Sequence, residues 1–388
     1  MTPPQLRSRR STATTIGVLL AGLSAGLTGC ATSSANPASS SAPAAPAGTP
    51  AATAVTNAAV ATAAMAATQS PAPSTGESIT LYNAQHKQTT AALVAAFTNT
   101  TGIAVAETDK DEDALTAQIE QEGDKSPADV FFTENTDFLQ QLSSKKMLAK
   151  VDPTTLAGVP AADSAADGTW SGISERISAL VYNPTMITPD KLPKSVLDMA
   201  DPKYKGQFEL APGEADFGPV VASVAKAKGE DATVTWLKAM KDNAGSGAGV
   251  PDYETLVSDV SQGTTAFALV NHYYYYRLQA ELPNATANAK LAYLAPQDPG
   301  YLATISGAGV LASSRHGRAA QKFLAFLTSD LGQSILATGY SFEYPLRAGV
   351  APNPVLPPLW SYQPDAFSPG DLGDGEQIKD LLQKSGLI

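Results

Sequence analysis

The chain has 388 residues, a formal net charge of −11 and one cysteine. Its basic residues are scattered rather than bunched, so no phosphate-tracking surface forms and nucleic acid is not an expected partner. A single thiol excludes a disulfide framework, iron–sulfur clusters and soft-metal sites built on several thiolates.

Taken in chain order, Arg7, Arg9 and Arg10 precede an apolar run from Ile16 to Leu27 that is too short for a stable membrane span and is flanked as signal peptides are. The run closes on Leu27-Thr28-Gly29-Cys30, which resembles the bacterial lipobox, so residues 1–29 read as a lipoprotein signal peptide and Cys30 as its lipidated product. Acylation would leave the folded part without a thiolate nucleophile. From Ala31 to about Thr75 the chain is almost wholly Ala, Ser, Thr and Pro, without aromatic or charged residues. Such a stretch cannot bury enough apolar surface to offset its chain entropy, and residues 30–77 read as a lipidated cysteine followed by a disordered tether. The expected location is the outer face of the cytoplasmic membrane, with the acidic body held off anionic lipid by its anchor.

Residues 78–388 are the size of two fused domains. Ile79–Tyr82 reads as a strand, followed through Asn83-Ala84-Gln85-His86 by a helix ending at Gly102. A second strand at Ile103–Val105 precedes a helix from Ala114 to Glu122. Asp129–Phe132 then reads as a buried strand whose exit loop, Thr133-Glu134-Asn135, opens a helix at Asp137 with Thr136 as its cap. Further strands are expected at Leu180–Tyr182, Phe208–Ala211, Ala266–Val270 and Gly307–Leu311, with helices at Thr233–Met240 and Ala319–Leu327. The alternation predicts two α/β lobes, each a mostly parallel sheet flanked by helices and joined by more than one crossing.

In open parallel sheets ligands bind beyond the carboxyl ends of strands, where loop backbone and helix N-termini converge. His86, Glu134 and the pair Tyr273 and Tyr274 each lie just past such an end. Two phenolates and a carboxylate, with imidazole as a borderline fourth donor, suit a hard trivalent cation such as ferric iron. A free phenol has a pKa of about 10, so the metal must displace the protons and affinity should fall as pH drops. Tyr275 and Tyr276 turn elsewhere along the helix and read as packing or rim residues. His272 and His316 are expected at the surface.

Six segments resemble, in register, those of the ferric-ion-binding proteins of bacterial iron importers: Leu81–His86, Ser126–Glu134, Leu192–Asp198, Val270–Tyr274, Ser306–Leu311 and Glu343–Leu346. The resemblance implies a periplasmic-binding-protein fold of the two-crossover type, with one lobe at 78–175 plus 304–352 and the other at 176–303 plus 353–388. It implies a monomer that hands iron to an ABC transporter permease and its ATPase. His86, Glu134, Tyr273 and Tyr274 fall on the family's protein ligands, with Asn135 and Asn271 beside them. Many members complete the iron shell with a bound anion, phosphate or carbonate. Here the corresponding loops read Pro212-Gly213-Glu214-Ala215-Asp216-Phe217 and Gly249-Val250-Pro251-Asp252-Tyr253, and extra carboxylates would repel an anion. Glu214 or Tyr253 is therefore expected to supply a protein ligand in its place, with Arg176 balancing the negative charge. A different small ligand (a phosphonate, thiamine or a polyamine) is the alternative within binding proteins. An exported hydrolase is disfavoured, because the chain has no Gly-x-Ser-x-Gly turn and no His-Glu-x-x-His helix; no catalytic residues are expected.

Overall fold

The computed structural model describes residues 71–388; the predicted signal peptide, Cys30 and the tether up to residue 70 lie outside the described residues. The first sheet is built from β1 (Ser78–Ala84), β2 (Ala104–Asp109) and β3 (Val130–Thr133), with α1 (Lys87–Thr101), α2 (Glu112–Glu122) and α3 (Thr136–Ser144) between and after them. A long strand, β4 (Trp170–Tyr182), leads into β5 (Phe208–Glu209), α4 (Gly218–Lys228), α5 (Glu230–Ala244), α6 (Tyr253–Gln262), β6 (Phe267–Asn271), α7 (His272–Glu281) and β7 (Lys290–Ala292). The chain then returns through β8 (Ala303–Val310), α8 (Gly317–Leu327), α9 (Asp330–Thr338) and β9 (Tyr344–Pro345), and ends in α10 (Glu376–Ser385). No helix among the described residues is long and apolar enough to cross a membrane.

Period-two burial explains the first layer. In β3, Val130 and Phe132 point into a core with Phe97 and Phe323, while Phe131 points into an opposite core with Tyr82, Leu139 and Trp170. Helices α1 and α8 therefore cover one face and α2 and α3 the other. A larger core around Leu180, Phe217, Trp236, Leu237 and Phe267 organises the second half.

The strand order is β2-β1-β3-β8-β4-β6-β5, with β7 and β9 also paired to β4. β1 runs parallel to β2 and β3, and β5 parallel to β6, but every pairing of β4 and β8 is antiparallel. The sheets are thus mixed rather than mostly parallel. The cause is the pair of crossing strands: β4 leaves the first half and β8 returns to it, so the two lie side by side in opposite directions. β4 also runs ten residues further toward the N-terminus than its apolar end suggested, because Glu175 and Arg176 interrupt the hydrophobic run. The cap of α3 is Asn135, with Thr136 already in the helix.

Candidate metal centre

Three strand ends supply the centre. β1 stops at Ala84 and His86 follows as the residue before α1; β3 stops at Thr133 and Glu134 follows; β6 stops at Asn271 and Tyr273 and Tyr274 follow in the first turn of α7. His86 Nε2 lies 3.1 Å from Glu134 Oε1 and 3.4 Å from the Tyr273 hydroxyl. The Tyr273 hydroxyl lies 2.6 Å from Glu134 Oε2. The Tyr273 and Tyr274 rings stack at 4.2 Å between centroids, which holds the two phenol oxygens side by side. All four residues expected from the sequence therefore converge.

A fifth group was not singled out beforehand. Asp216, in the short turn before α4, places Oδ2 2.9 Å from the Tyr273 hydroxyl and 3.1 Å from the Tyr274 hydroxyl. Its other oxygen accepts from Asn135 Nδ2 at 2.9 Å and from Arg176 at 3.1 Å. Arg176 also donates to Asn135 Oδ1 at 2.6 Å. Glu112 in turn accepts the Asn135 backbone N–H at 2.6 Å and the Thr133 hydroxyl, so the loop carrying Glu134 is pinned from below. The loop Pro212–Phe217 carries two acids, Glu214 and Asp216, and the sequence does not say which of them turns inward.

Glu214 lines a cleft of about 670 Å³ that also takes in His86, Glu134, Asp216 and Tyr274. Tyr253, the first residue of α6, packs edge-on against Tyr274 at 5.2 Å. Asn271 is the buried N-cap of α7, and its amide helps hold the Asp216 carboxylate charged. His316 is a half-exposed partner of Asp129 at 3.2 Å, as expected of a surface histidine. His272 is not at the surface: it is fully buried, its Nδ1 accepts the Ile177 N–H at 3.1 Å, and its ring stacks on Tyr344 at 5.3 Å. The first turn of α7 rotates it inward, away from the cleft, because β6 delivers the helix into the core. Tyr275 and Tyr276 pack against that same core as rim residues.

Burial dominates the electrostatics. It raises both cleft phenols well above the ordinary tyrosine value, and Asp216 and Glu134 push them further up. Glu134 is raised well above the usual carboxylate range by burial and then by Asp216. Burial and then the Arg277 charge lower His86 to about 3, so its contact with Glu134 joins neutral groups and the imidazole has a lone pair to offer a metal without losing a proton. Asp216 alone runs the other way: burial opposes its charge, but Arg176, Asn135 and Tyr273 outweigh it and hold the carboxyl below its ordinary value. Glu214 is raised to about 8 by burial and then by Asp216. Among the described residues no group of three or more His, Cys, Asp or Glu side chains is arranged to hold a metal ion. A metal at this centre has to recruit the phenol oxygens, and the donor set of two phenols, carboxylates and one neutral imidazole favours a hard, highly charged cation.

A two-lobed α/β fold with crossing strands and convergent polar groups at strand ends defines a solute-binding protein. The chain belongs to the bacterial extracellular solute-binding proteins, whose family model matches residues 125–368. It is 38% identical over 327 residues to the Fe(3+)-binding periplasmic protein of Serratia marcescens, covering 84% of this chain and 96% of that protein. It is 35% identical over 330 residues to the major ferric iron-binding protein of Neisseria meningitidis serogroup B, covering 84% and 98%. Among solved structures it is similar to iron-bound HitA from Pseudomonas aeruginosa, with a TM-score of 0.76, 39% identity, and coverage of 80% of this chain and 99% of that one.

Proposed function

We propose that this protein captures ferric iron in the cleft between its lobes and delivers it to the permease of an ABC transporter, tethered by lipid at Cys30 to the outer face of the cytoplasmic membrane. The observation that carries the reading is the meeting of His86, Glu134 and Tyr273 within hydrogen-bonding distances, with Tyr274 stacked on Tyr273, in a chain similar to proteins named for ferric iron. The proposed lobes are 78–175 plus 304–352 and 176–303 plus 353–388. One brings His86 and Glu134, the other Tyr273, Tyr274 and Asp216. Iron meeting one set draws in the other, and rotation about β4 and β8 completes the shell and excludes water.

Asp216 takes over the part first sought in Glu214 or Tyr253. It is a charged carboxylate touching both phenols, where it accepts hydrogen bonds in the metal-free protein and is placed to bind metal once those protons leave. Arg176 balances it. A carbonate or phosphate ion is then not needed to complete the shell. Adding ferric iron should give a visible phenolate-to-iron band with or without phosphate. Tyr273→Phe and Tyr274→Phe should each remove most of the band and the affinity. A native protein that stays colourless contradicts the iron reading; colour that appears only with phosphate contradicts the part given to Asp216.

A further inference from the structure

Three of the sequence segments that resemble the family, Leu81–His86, Ser306–Leu311 and Glu343–Leu346, meet in a place the donor set does not explain. Ser306 of β8 stands directly opposite Ser174 of β4, and their hydroxyls are bonded. The Ser174 hydroxyl also bonds Glu343, which lies one residue ahead of β9, the strand that pairs Tyr344 and Pro345 with Glu175 and Ser174. The other Glu343 oxygen accepts from Gln85 Nε2 at 3.3 Å, and Gln85 Oε1 accepts the His86 backbone N–H at 2.7 Å. Ser174, Ser306 and Glu343 are fully buried, and Gln85 is 4% exposed.

The chemistry allows one orientation of the amide. A carboxylate only accepts and a backbone N–H only donates, so Gln85 must turn its NH₂ to Glu343 and its oxygen to His86. The backbone of Gln85 is locked separately: its N–H donates to Asn83 Oδ1 at 3.1 Å, and its carbonyl accepts from Asn83 Nδ2 at 2.8 Å. The strand geometry supplies the rest. A register shift between Gly172 and Ser174 resets β4, after which Ser174 and Arg176 project to the same face. The crossing strand thus sends one side chain toward His86 through Glu343 and Gln85, and the next toward Asp216 through Arg176.

We infer that Gln85 and Glu343 are positioning residues, tying the hinge strand to His86 and fixing where its imidazole stands in the cleft. This rests on the iron reading above, with His86 as a ligand. Supporting residues of this kind typically change metal affinity by about 10–100-fold when removed.

The test is a cycle of ferric affinities, by competition with a chelator of known strength, for the native protein, Gln85→Ala, His86→Ala and the pair. Gln85→Ala is expected to weaken binding about tenfold in the native background and by less than about twofold when His86 is already gone. A donor–acceptor exchange gives the second arm. Gln85→Glu alone sets two carboxylates face to face and should weaken binding by at least about tenfold. Adding Glu343→Gln restores one donor between two acceptors, and affinity should return to within about threefold of native. Equal losses from Gln85→Ala in both backgrounds, no loss at all, or an exchange variant no better than Gln85→Glu would overturn the assignment. A native protein that binds no ferric iron would instead defeat the functional reading beneath it.

Discussion

Arg176 lies on β4 with no solvent exposure, between Asp216 and Asn135. Burial works against its charge, but the Asp216 carboxylate beside it outweighs that and keeps it protonated. Arg176→Met would leave the Asp216 charge in the interior without its cation. Breaking a buried pair from one side costs about 3–5 kcal/mol, so denaturant unfolding of the metal-free protein should show a loss of that order. A loss below about 1 kcal/mol would mean that Asn135 and Asn271 suffice. Proton linkage follows from the neighbouring groups. The phenols are raised and therefore protonated before metal arrives, so uptake releases their protons and affinity rises with pH. His86, lowered to about 3, keeps its lone pair and adds nothing to this slope near neutrality. Two departing phenol protons, with a further one from Glu134, which burial also holds protonated, give at least roughly two decades of affinity lost for each pH unit of acidification, measured by competition titration between about pH 8 and pH 6. A flat profile would exclude phenolate ligation. His86, Glu134, Tyr273 and Tyr274 were legible from the sequence because each follows a strand end. Asp216 was not, because which of two acids in a turn faces inward depends on the turn's phase. His272 was misplaced for a similar reason: one residue of helix rotation separates the cleft from the core.

Among the elements, β4 decides most. Its thirteen residues pair with β8 over the first half and with β6 and β7 over the second, with the irregularity at Gly172. No side chain fits there: a Cβ on Gly172 would stand 2.2 Å from the Asp163 carbonyl oxygen and 2.9 Å from Leu346 Cδ1. Gly172→Ala should therefore destabilise by about 1–3 kcal/mol or more, read as a lower denaturant midpoint at unchanged slope. An unchanged midpoint would show that the loop holding Asp163 yields freely. Helices α1, α2, α5 and α8 were legible to within a few residues, since one apolar face and a terminal glycine or acid mark each. Strand β4 was visible only at Leu180–Tyr182. Ser174 and Arg176 are buried yet polar, and nothing in a periodicity says that their partners, Ser306 and Glu343 for the one and Asp216 for the other, are supplied from elsewhere in the chain.

At the scale of the whole molecule, two lobes were foreseeable from length and resemblance, whereas strand polarity was not. Polarity is set by the crossings, and a crossing is a relation between distant segments rather than a property of either. Those crossings bear on how the protein comes apart. Trp170–Ile177 is laddered to Ala303–Gly309, and Ser178–Tyr182 continues the same strand into pairing with β6 and β7. β4 is thus the one strand of the described residues that both sets of pairings share. Differential scanning calorimetry of the metal-free protein should show one heat-absorption peak, with calorimetric and van't Hoff enthalpies in agreement. Two resolved peaks would mean that the halves melt separately. Where backbone is held in common, an opening motion can loosen the cleft without exposing either half to proteolysis or aggregation by itself.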